Sequence, residues 1–425
     1  MNVLIVGSGA REHALTWKAL QSPLTHAVYC APGNAGTAAI AINSDIEATD
    51  VDGIAGFVKD RAVDLTVIGP EAAVAAGLAD RLTAEDRLVF GPSKNAGQIE
   101  SSKAFAKSLM ERVGVPTPAF RVFDNAPSAK DFVRGERRAF VVKADGLAQG
   151  KGTLVPRDAD ETLECIDMLM LQRTVGAAAD RIVLEEKLEG REVSLMALVD
   201  GERIVPLQPA CDYKRALDGD KGPNTGGMGG YSPVSFFGPN DVQHAVDTVF
   251  RPVVDAMREE GMLYRGCLYA GLMVGAAGLQ VLEFNARFGD PETQVVLPRL
   301  ETDLIALLEA AARGQLDDVK SSWSSRACVG VVLASRGYPG TYAMGYRIEG
   351  LGTIEPDVFV FHAGTAADPS GYVTAGGRVL TVVGLGDSMT DARERVYRNA
   401  ERIRFEGATY RHDLALRELE VAALP

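Results

Sequence analysis

The apolar positions of the first hundred residues fall into short unbroken runs at 3–6, 26–30, 64–68 and 87–90, each closing near glycine or proline. Runs of that length without polar alternation suit strands buried on both faces of a parallel sheet. Between them, 11–20 and 53–61 carry helical spacing. The alternation predicts an open, doubly wound α/β sheet, a fold that takes ligands at the carboxyl ends of its strands.

Beyond this region the pattern changes. Residues 98–112 read as one helix, which Val115-Pro116-Thr117-Pro118 stops, and a domain boundary is expected there. Extended runs follow at 140–143, 152–156, 181–186, 193–199 and 204–207. Asp200-Gly201 separates the last two as a hairpin turn, and a helix at 160–171 interrupts the series. This predicts a small α+β unit. The stretch 211–231 is expected to be a long polar loop, and 241–260 an amphipathic helix kinked at Pro252. A hairpin at 268–274 and 279–284, a helix at 303–313 and a serine-rich linker at 315–325 come next. Strands at 329–334, 359–362 and 378–383 with a helix at 391–403 predict a final α+β domain.

At 425 residues the chain is long enough for two to four domains. Its 46% hydrophobic and 24% charged residues are a globular composition. The uncharged glycine-broken stretch after Gly266 is too short to cross a bilayer, and the chain opens on Asn2-Val3-Leu4-Ile5-Val6 without a basic leader. A cytoplasmic protein with no membrane partner is expected. The net charge of −13 argues against a nucleic-acid partner. The five cysteines stand far apart with no C-x-x-C pair, and the five histidines show no metal spacing, so neither a disulfide framework nor a zinc site is expected. No G-x-S-x-G or H-E-x-x-H motif points to a hydrolase.

Four segments carry candidate chemistry. The turn Gly7-Ser8-Gly9-Ala10-Arg11-Glu12 follows a strand and opens a helix, as in a dinucleotide fingerprint. Glu12 stands at the third glycine position, however, and the second strand ends in Pro32-Gly33-Asn34 with no acid for a ribose. An anion site helped by Arg11 fits better than a nicotinamide site. Lys143-Ala144-Asp145-Gly146-Leu147 with Gly150-Lys151-Gly152 forms a glycine-rich connection between two strands. It suits a phosphate lid or a plain hairpin equally. Glu185-Glu186-Lys187-Leu188, with Glu192 beyond it, leaves a strand where backbone groups can meet an adenine edge and an acid a ribose. Finally, Glu283 and Asn285 share one face of a strand and offer hard oxygens of the kind Mg²⁺ takes beside nucleotide phosphates. Arg287 continues that face and can neutralise a transferring phosphoryl group. A surface ion pair at a strand end is the bland alternative.

Taken in order, the motifs resemble the phosphoribosylamine–glycine ligase family, the ATP-grasp glycinamide ribonucleotide synthetases of purine biosynthesis. The resemblance rests on Gly7-Ser8-Gly9-Ala10-Arg11-Glu12-His13-Ala14, Ala31-Pro32-Gly33-Asn34-Ala35-Gly36, Gly69-Pro70-Glu71, Ser102-Lys103-Ala104-Phe105, Lys143-Ala144-Asp145-Gly146-Leu147, Pro223-Asn224-Thr225-Gly226-Gly227-Met228-Gly229 and Glu283-Phe284-Asn285-Ala286-Arg287-Phe288-Gly289-Asp290-Pro291-Glu292. It implies an N-terminal α/β substrate-binding domain at 1–100, a central ATP-grasp region at 101–325 made of two α+β subdomains with a small lid at about 118–190, and a C-terminal α+β domain at 326–425. The implied reaction joins glycine to 5-phosphoribosylamine through glycyl phosphate, consuming ATP with Mg²⁺, or Mn²⁺ in its place. A monomer or homodimer is implied.

By the same resemblance Lys103 and Lys143 hold ATP phosphates under the loop that carries Gly150 and Gly152. Glu185, Glu186, Leu188 and Glu192 serve the nucleoside, and Glu283 and Asn285 the metal. Arg287, Asp290 and Lys214 are the implied catalytic residues; Arg11, Glu12, Glu71, Asp212, Arg215, Asn224 and Thr225 are assigned to the amine and glycine side. Two positions depart from the family pattern: Lys187, commonly aromatic or apolar, and Tyr213, commonly histidine. Within the fold class, an ATP-grasp carboxylase or formate-using transformylase is the rival reading; outside it, a nicotinamide-dependent oxidoreductase or a non-catalytic nucleotide sensor.

Overall fold

A computed structural model of the chain describes residues 1–148, 150–316, 321–369 and 371–422, the side chains at 420–422 excepted. Among these residues the first sheet is parallel throughout, with Asn2–Gly7 at its centre. Ala27–Pro32 and Ile42–Asn43 lie to one side, Leu65–Ile68 and Val89–Phe90 to the other. The strand order reverses between Asn2–Gly7 and Leu65–Ile68, so their carboxyl ends at Gly7 and Gly69 open on the crevice of the sheet. Val3, Leu4, Ile5 and Val6 are buried on both faces, which is why this strand shows no polar alternation.

The small subdomain is an antiparallel sheet in the order Phe120–Phe123, Ile182–Glu185, Val141–Ala144, Thr153–Leu154. Helices Ala126–Glu136 and Ala159–Ile166 back it through Ala129, Val133 and Ile166. A second antiparallel sheet runs Ile204–Pro206, Arg191–Asp200, Arg265–Gly275, Gly278–Asn285. Its centre is the long pairing of Arg191–Asp200 with Arg265–Gly275, and Asp200-Gly201 makes the expected hairpin with Gly201 at φ +108.

Three expectations are corrected. The helix at 98–112 is two helices, Gln98–Ser101 and Lys103–Arg112, because Ser102 is extended and its hydroxyl caps the second by accepting the Phe105 N–H at 3.2 Å. The helix at 241–260 runs as Pro239–Ala245, a π-turn Val246–Phe250, and Arg251–Glu259. The wider turn lies just before Pro252, which has no N–H to return to it. The polar stretch 211–231 is not a loop throughout: it contains strands Cys211–Asp212, Arg215–Leu217, Lys221–Asn224 and Gly229–Ser232. Cys211–Asp212 and Gly229–Ser232 enter the C-terminal sheet, where Gly229–Ser232 pairs with Ala327–Ser335. Arg378–Gly386 and Val358–His362 complete its main path, with helix Met389–Ala400 packed on it. The expected linker at 315–325 lies partly outside the described residues. No described helix is long and apolar enough to cross a membrane.

Candidate active site

At the carboxyl ends of the first sheet, the turn after Gly7 is filled from within. Glu12, in the first turn of helix Ala10–Ala19, accepts the Gly9 N–H at 2.7 Å and the Arg11 Nε–H at 2.6 Å. A Cβ at Gly7 would stand 2.7 Å from Glu12 Cδ, and one at Gly69 2.1 Å from its Oε1. The glycines therefore make room for a carboxylate, and the space a dinucleotide pyrophosphate needs is taken. Arg11 and Glu12 are both buried, and Arg11 Nη1 donates to the Phe288 carbonyl at 3.1 Å. That bond ties the first helix to the segment carrying Glu283 and Arg287.

Arg287 is held between two acids from different parts of the chain. Its Nε–H donates to Glu71 Oε2 at 3.0 Å, its Nη2 lies 3.1 Å from Glu100 Oε1, and its Nη1 donates to the Phe288 carbonyl at 3.1 Å. One N–H on each terminal nitrogen is left. Burial alone would push Glu71 up, but Arg287 and then Arg11 hold it down to about 2. Burial dominates at Glu100 and raises it despite Arg287. Glu100 Oε2 also accepts the Ala286 N–H at 2.8 Å, fixing the strand end from which Arg287 projects.

On the lid side, Lys143 lies near the end of strand Val141–Ala144, pairs with Glu185 at 2.8 Å and donates to the Leu282 carbonyl at 2.9 Å. One ammonium N–H is free for a ligand. Lys107 reaches the same Glu185 oxygen at 3.2 Å. Lys103 opens helix Lys103–Arg112; burial lowers it, while Glu283 opposes that shift and Lys143 adds to it. Asp145 joins lid to helix: it accepts the Ser102 hydroxyl at 3.0 Å, the Ala104 N–H at 2.7 Å and the Arg181 Nε–H at 2.8 Å. Gly150 lies against the Thr225 carbonyl, where a Cβ would stand 3.2 Å from the oxygen, and Gly152 follows before strand Thr153–Leu154. Glu185 ends a central strand of the lid sheet, and the connection containing Glu186 and Leu188 leads to Arg191–Asp200.

Glu283 and Asn285 are neighbours on strand Gly278–Asn285, opposite Gly271 and Tyr269. Burial would raise Glu283, but Lys214, Lys143 and Lys103 hold it below the usual range, so it is a carboxylate at neutral pH. Its nearest ion pair is a loose 4.0 Å contact with Lys214. Two hard oxygen donors set among cationic side chains fit a Mg²⁺ that takes its remaining ligands from phosphates and water. The described residues hold no cluster of three or more His, Cys, Asp or Glu that would make a metal cage.

The acceptor side is built by strands Cys211–Asp212 and Arg215–Leu217 and the turn after Lys221–Asn224. Lys214 pairs with Glu192 at 2.9 Å. Burial pushes Asp212 up against the pull of Lys214. Thr225 bonds the Lys214 carbonyl through both its N–H at 2.7 Å and its hydroxyl at 2.9 Å, and the Asn224 amide donates to the Thr153 carbonyl at 3.1 Å. Asp290 accepts from Gln294 at 2.7 Å and Arg378 at 3.0 Å; burial opposes its ionisation, yet Arg378 and Arg11 lower it. Tyr213 faces the other way: its hydroxyl accepts the Ala415 N–H at 2.9 Å and Arg411 stacks on its ring. Tyr213 is thus a packing position, while Lys187 is exposed.

The fold brings Lys103, Lys143, Lys214, Glu192, Asp212, Glu283 and Arg287 into one electrostatic cluster. Contacts of Glu186 and Arg215 lead elsewhere, to Arg138 at 2.9 Å and the Gly222 carbonyl at 2.8 Å. Sequence reasoning missed Glu100, Lys107, Gln294 and Arg378, and read the Asp145 segment only for its glycines and lysine. Glu100 stood two residues before Ser102-Lys103, a signal available but hidden in an expected continuous helix. Arg378 carried none, being 88 residues from Asp290.

Comparison with known proteins gives the chain a family. Residues 1–100, 101–293 and 328–417 match the models of the phosphoribosylglycinamide synthetase N domain, ATP-grasp (A) domain and C domain. The chain is 45% identical over 424 residues to the phosphoribosylamine–glycine ligase of Halalkalibacterium halodurans, covering 100% of this chain and 99% of that protein. It is 44% identical over 415 residues to that of Caldanaerobacter subterraneus, covering 98% and 99%. The crystal structure of the Thermotoga maritima phosphoribosylamine–glycine ligase superposes with a TM-score of 0.85 at 36% identity, covering 98% of this chain and all of that one. The biotin carboxylase domain of Hydrogenobacter thermophilus 2-oxoglutarate carboxylase, solved with MgADP, shares the fold at a TM-score of 0.72 and 15% identity, covering 96% of this chain and 91% of that one. With three successive family domains matched and full-length relatives well above 30% identity, the chain belongs to the phosphoribosylglycinamide synthetase family.

Proposed function

We propose that this site joins glycine to 5-phosphoribosylamine at the expense of ATP, giving glycinamide ribonucleotide, ADP and phosphate. The observation that carries the reading is the division of charge in one cleft. Lys103, Lys143 and Lys214 surround the Glu283 carboxylate, and Arg287 is fixed beside it by Glu71 and Glu100.

The protein's part in such a reaction is positioning and charge neutralisation. Lys103 and the free N–H of Lys143 hold the phosphates, covered by the loop with Gly150 and Gly152. The backbone of Glu185 and Leu188 meets the adenine, and Glu192, already beside Lys214, reaches the ribose. A glycine carboxylate oxygen attacks the γ-phosphorus, and the bond to the ADP oxygen breaks. The remaining N–H groups of Arg287 face the charge on the transferring group. The amine nitrogen of 5-phosphoribosylamine then attacks the acyl carbon of glycyl phosphate. The carbon–oxygen bond to phosphate breaks, and the amine gives up a proton. Asp290, Lys214, Asp212, Asn224, Thr225 and Arg215 frame that second step; Arg11, Glu12 and Glu71 hold the N-terminal wall. Glu283 and Asn285 would hold Mg²⁺, or Mn²⁺, which when bound neutralises phosphate charge.

The test is phosphate release from Mg-ATP with glycine and freshly generated phosphoribosylamine, each omitted in turn, with mass detection of the product. Product that requires all three substrates is expected. ATP hydrolysis or binding that ignores both glycine and the amine would overturn the reading.

A further inference from the structure

Arg378 lies in none of the motifs that led to the site. It opens strand Arg378–Gly386 of the C-terminal sheet, and its side chain leaves that sheet for the ATP-grasp region. Its Nη2 donates to Asp290 Oδ2 at 3.0 Å, and its Nη1 to the Asp290 carbonyl at 3.2 Å and the Gly226 carbonyl at 2.5 Å. Gly226 is gripped on its other polar group as well, because its N–H donates to the Tyr338 hydroxyl at 2.9 Å. A Cβ at Gly226 would stand 3.1 Å from Arg378 Cζ and 3.2 Å from Tyr338 Oη, so the loop passes closely between these two side chains. The next residue, Gly227, is pressed on Pro291: a Cβ there would stand 2.4 Å from Pro291 Cδ.

We propose that Arg378 is a positioning residue, which locks the backbone of Gly226 to the carboxylate of Asp290 and so makes the C-terminal domain part of the active site. The inference rests on the reading of Asp290, Asn224 and Thr225 as the substrate side. The loop that carries Asn224 and Thr225 touches the lid through Thr153 and Gly150 at one end and Arg378 at the other. Its position is therefore set from both sides. Arginine is required because two acceptors must be met at once by a rigid fork; an ammonium is a single point charge on a flexible stem. With Arg378 gone, Gln294 still holds Asp290 Oδ1, but Oδ2 and the Gly226 carbonyl lose their shared partner.

The test compares Arg378→Met, Arg378→Lys, Tyr338→Phe and Asp290→Asn for thermal midpoint, kcat, and KM for ATP and for phosphoribosylamine. Losing a charge-assisted bond is expected to lower kcat/KM for phosphoribosylamine about 30- to 100-fold in Arg378→Met, with the KM for ATP within about twofold. Arg378→Lys should restore only part of this, and Tyr338→Phe should lose about two- to fivefold. Because Arg378 acts by joining Asp290 to Gly226, the Arg378→Met/Asp290→Asn double variant should lose less than the product of the two single losses. Full activity in Arg378→Met, additive losses, or a uniform loss on every substrate that follows the thermal midpoint would overturn the proposal. Wild-type kinetics in Asp290→Asn would instead remove the reading beneath it. If Arg378→Met does not fold, Arg378→Lys and Tyr338→Phe decide the same comparison.

Discussion

Lys107 and Lys143 converge on one oxygen, Glu185 Oε2, at 3.2 and 2.8 Å. All three side chains are almost wholly buried, so two ammonium groups stand against one carboxylate where water cannot screen them. Lys107 also donates to the Thr117 hydroxyl at 2.6 Å, and Thr117 to the Val281 carbonyl at 2.9 Å, which anchors the lysine to the strand bearing Glu283. The arrangement gives Glu185 a standing counter-ion, and so frees Lys143 to turn part of its charge toward phosphate.

Nucleotide affinity should therefore depend on the protonation of Lys107. Burial lowers it to about 8, with the like charge of Lys143 adding to the shift and Glu185 opposing it. Above that pH Lys107 is neutral, Glu185 draws on Lys143 alone, and the KM for ATP should rise about tenfold between pH 7 and 9, the loss of one charged hydrogen bond. Lys107→Met should show the higher KM at both pH values. Steady-state kinetics across that range check it, and parallel profiles for the two proteins would exclude Lys107 as the source.

Glu71 leads to a prediction about acid stability. Its carboxyl is held at about 2 against an ordinary 4.5, so the unfolded chain binds the proton more readily between those values. The resulting stabilisation is complete above about pH 4.5 and disappears as pH falls toward 2. Allowing for the partial exposure of the side chain, it is about 2 kcal/mol. Glu71→Gln should be less stable than wild type by that amount at pH 7, and the gap should shrink to a few tenths of a kcal/mol near pH 2. Urea titrations at the two pH values measure the difference.

The fold was legible in the chain because its strands are either fully apolar, like Val3 to Val6, or separated by unmistakable turns such as Asp200-Gly201. Local patterning could not show that Gly229–Ser232 pairs with Ala327–Ser335, since strand pairing across a hundred residues leaves no periodic trace. The same limit applies to the site. Lys143, Glu283 and Arg287 stand at strand ends in glycine-rich or acidic motifs whose chemistry is local. The groups that hold the site in place, Glu100 beside Arg287, Lys107 beside Glu185 and Arg378 beside Asp290, are ordinary charged residues until the fold places them. The break at Ser102 shows the intermediate case: serine before a lysine was readable as a helix cap, but the strong helical pattern on both sides concealed it.

The metal assignment predicts a specific defect. Glu283 has its oxygens committed to no hydrogen bond among the described residues and is ionised by its lysine neighbours. Glu283→Gln keeps the shape and removes the charge. The free Mg²⁺ concentration for half-maximal rate should rise at least about tenfold, with Asn285→Ala producing a smaller rise of the same kind. Rates measured against free Mg²⁺ at fixed ATP separate this from a fall in kcat. An unchanged Mg²⁺ requirement in both variants would place the ion elsewhere.

Arg287 should tolerate lysine poorly, although the charge is conserved. Its Nε and Nη1 hydrogen bonds go to Glu71 and the Phe288 carbonyl, and its Nη2 pairs with Glu100, so the guanidinium spans acids on separate elements. A lysine ammonium cannot span both acids and still face a transferring phosphoryl group. Losing a preorganised cation at that point should lower kcat about 10²- to 10³-fold in Arg287→Lys, with the KM for ATP changed less than about threefold. Glu71→Gln, which leaves Glu100 and the Phe288 carbonyl to orient the guanidinium, should cost about tenfold in kcat. Rapid-quench measurement of ADP formation with glycine alone locates the defect in the phosphoryl step. An Arg287→Lys enzyme with a normal first turnover would show instead that the two acids hold this arginine for domain packing.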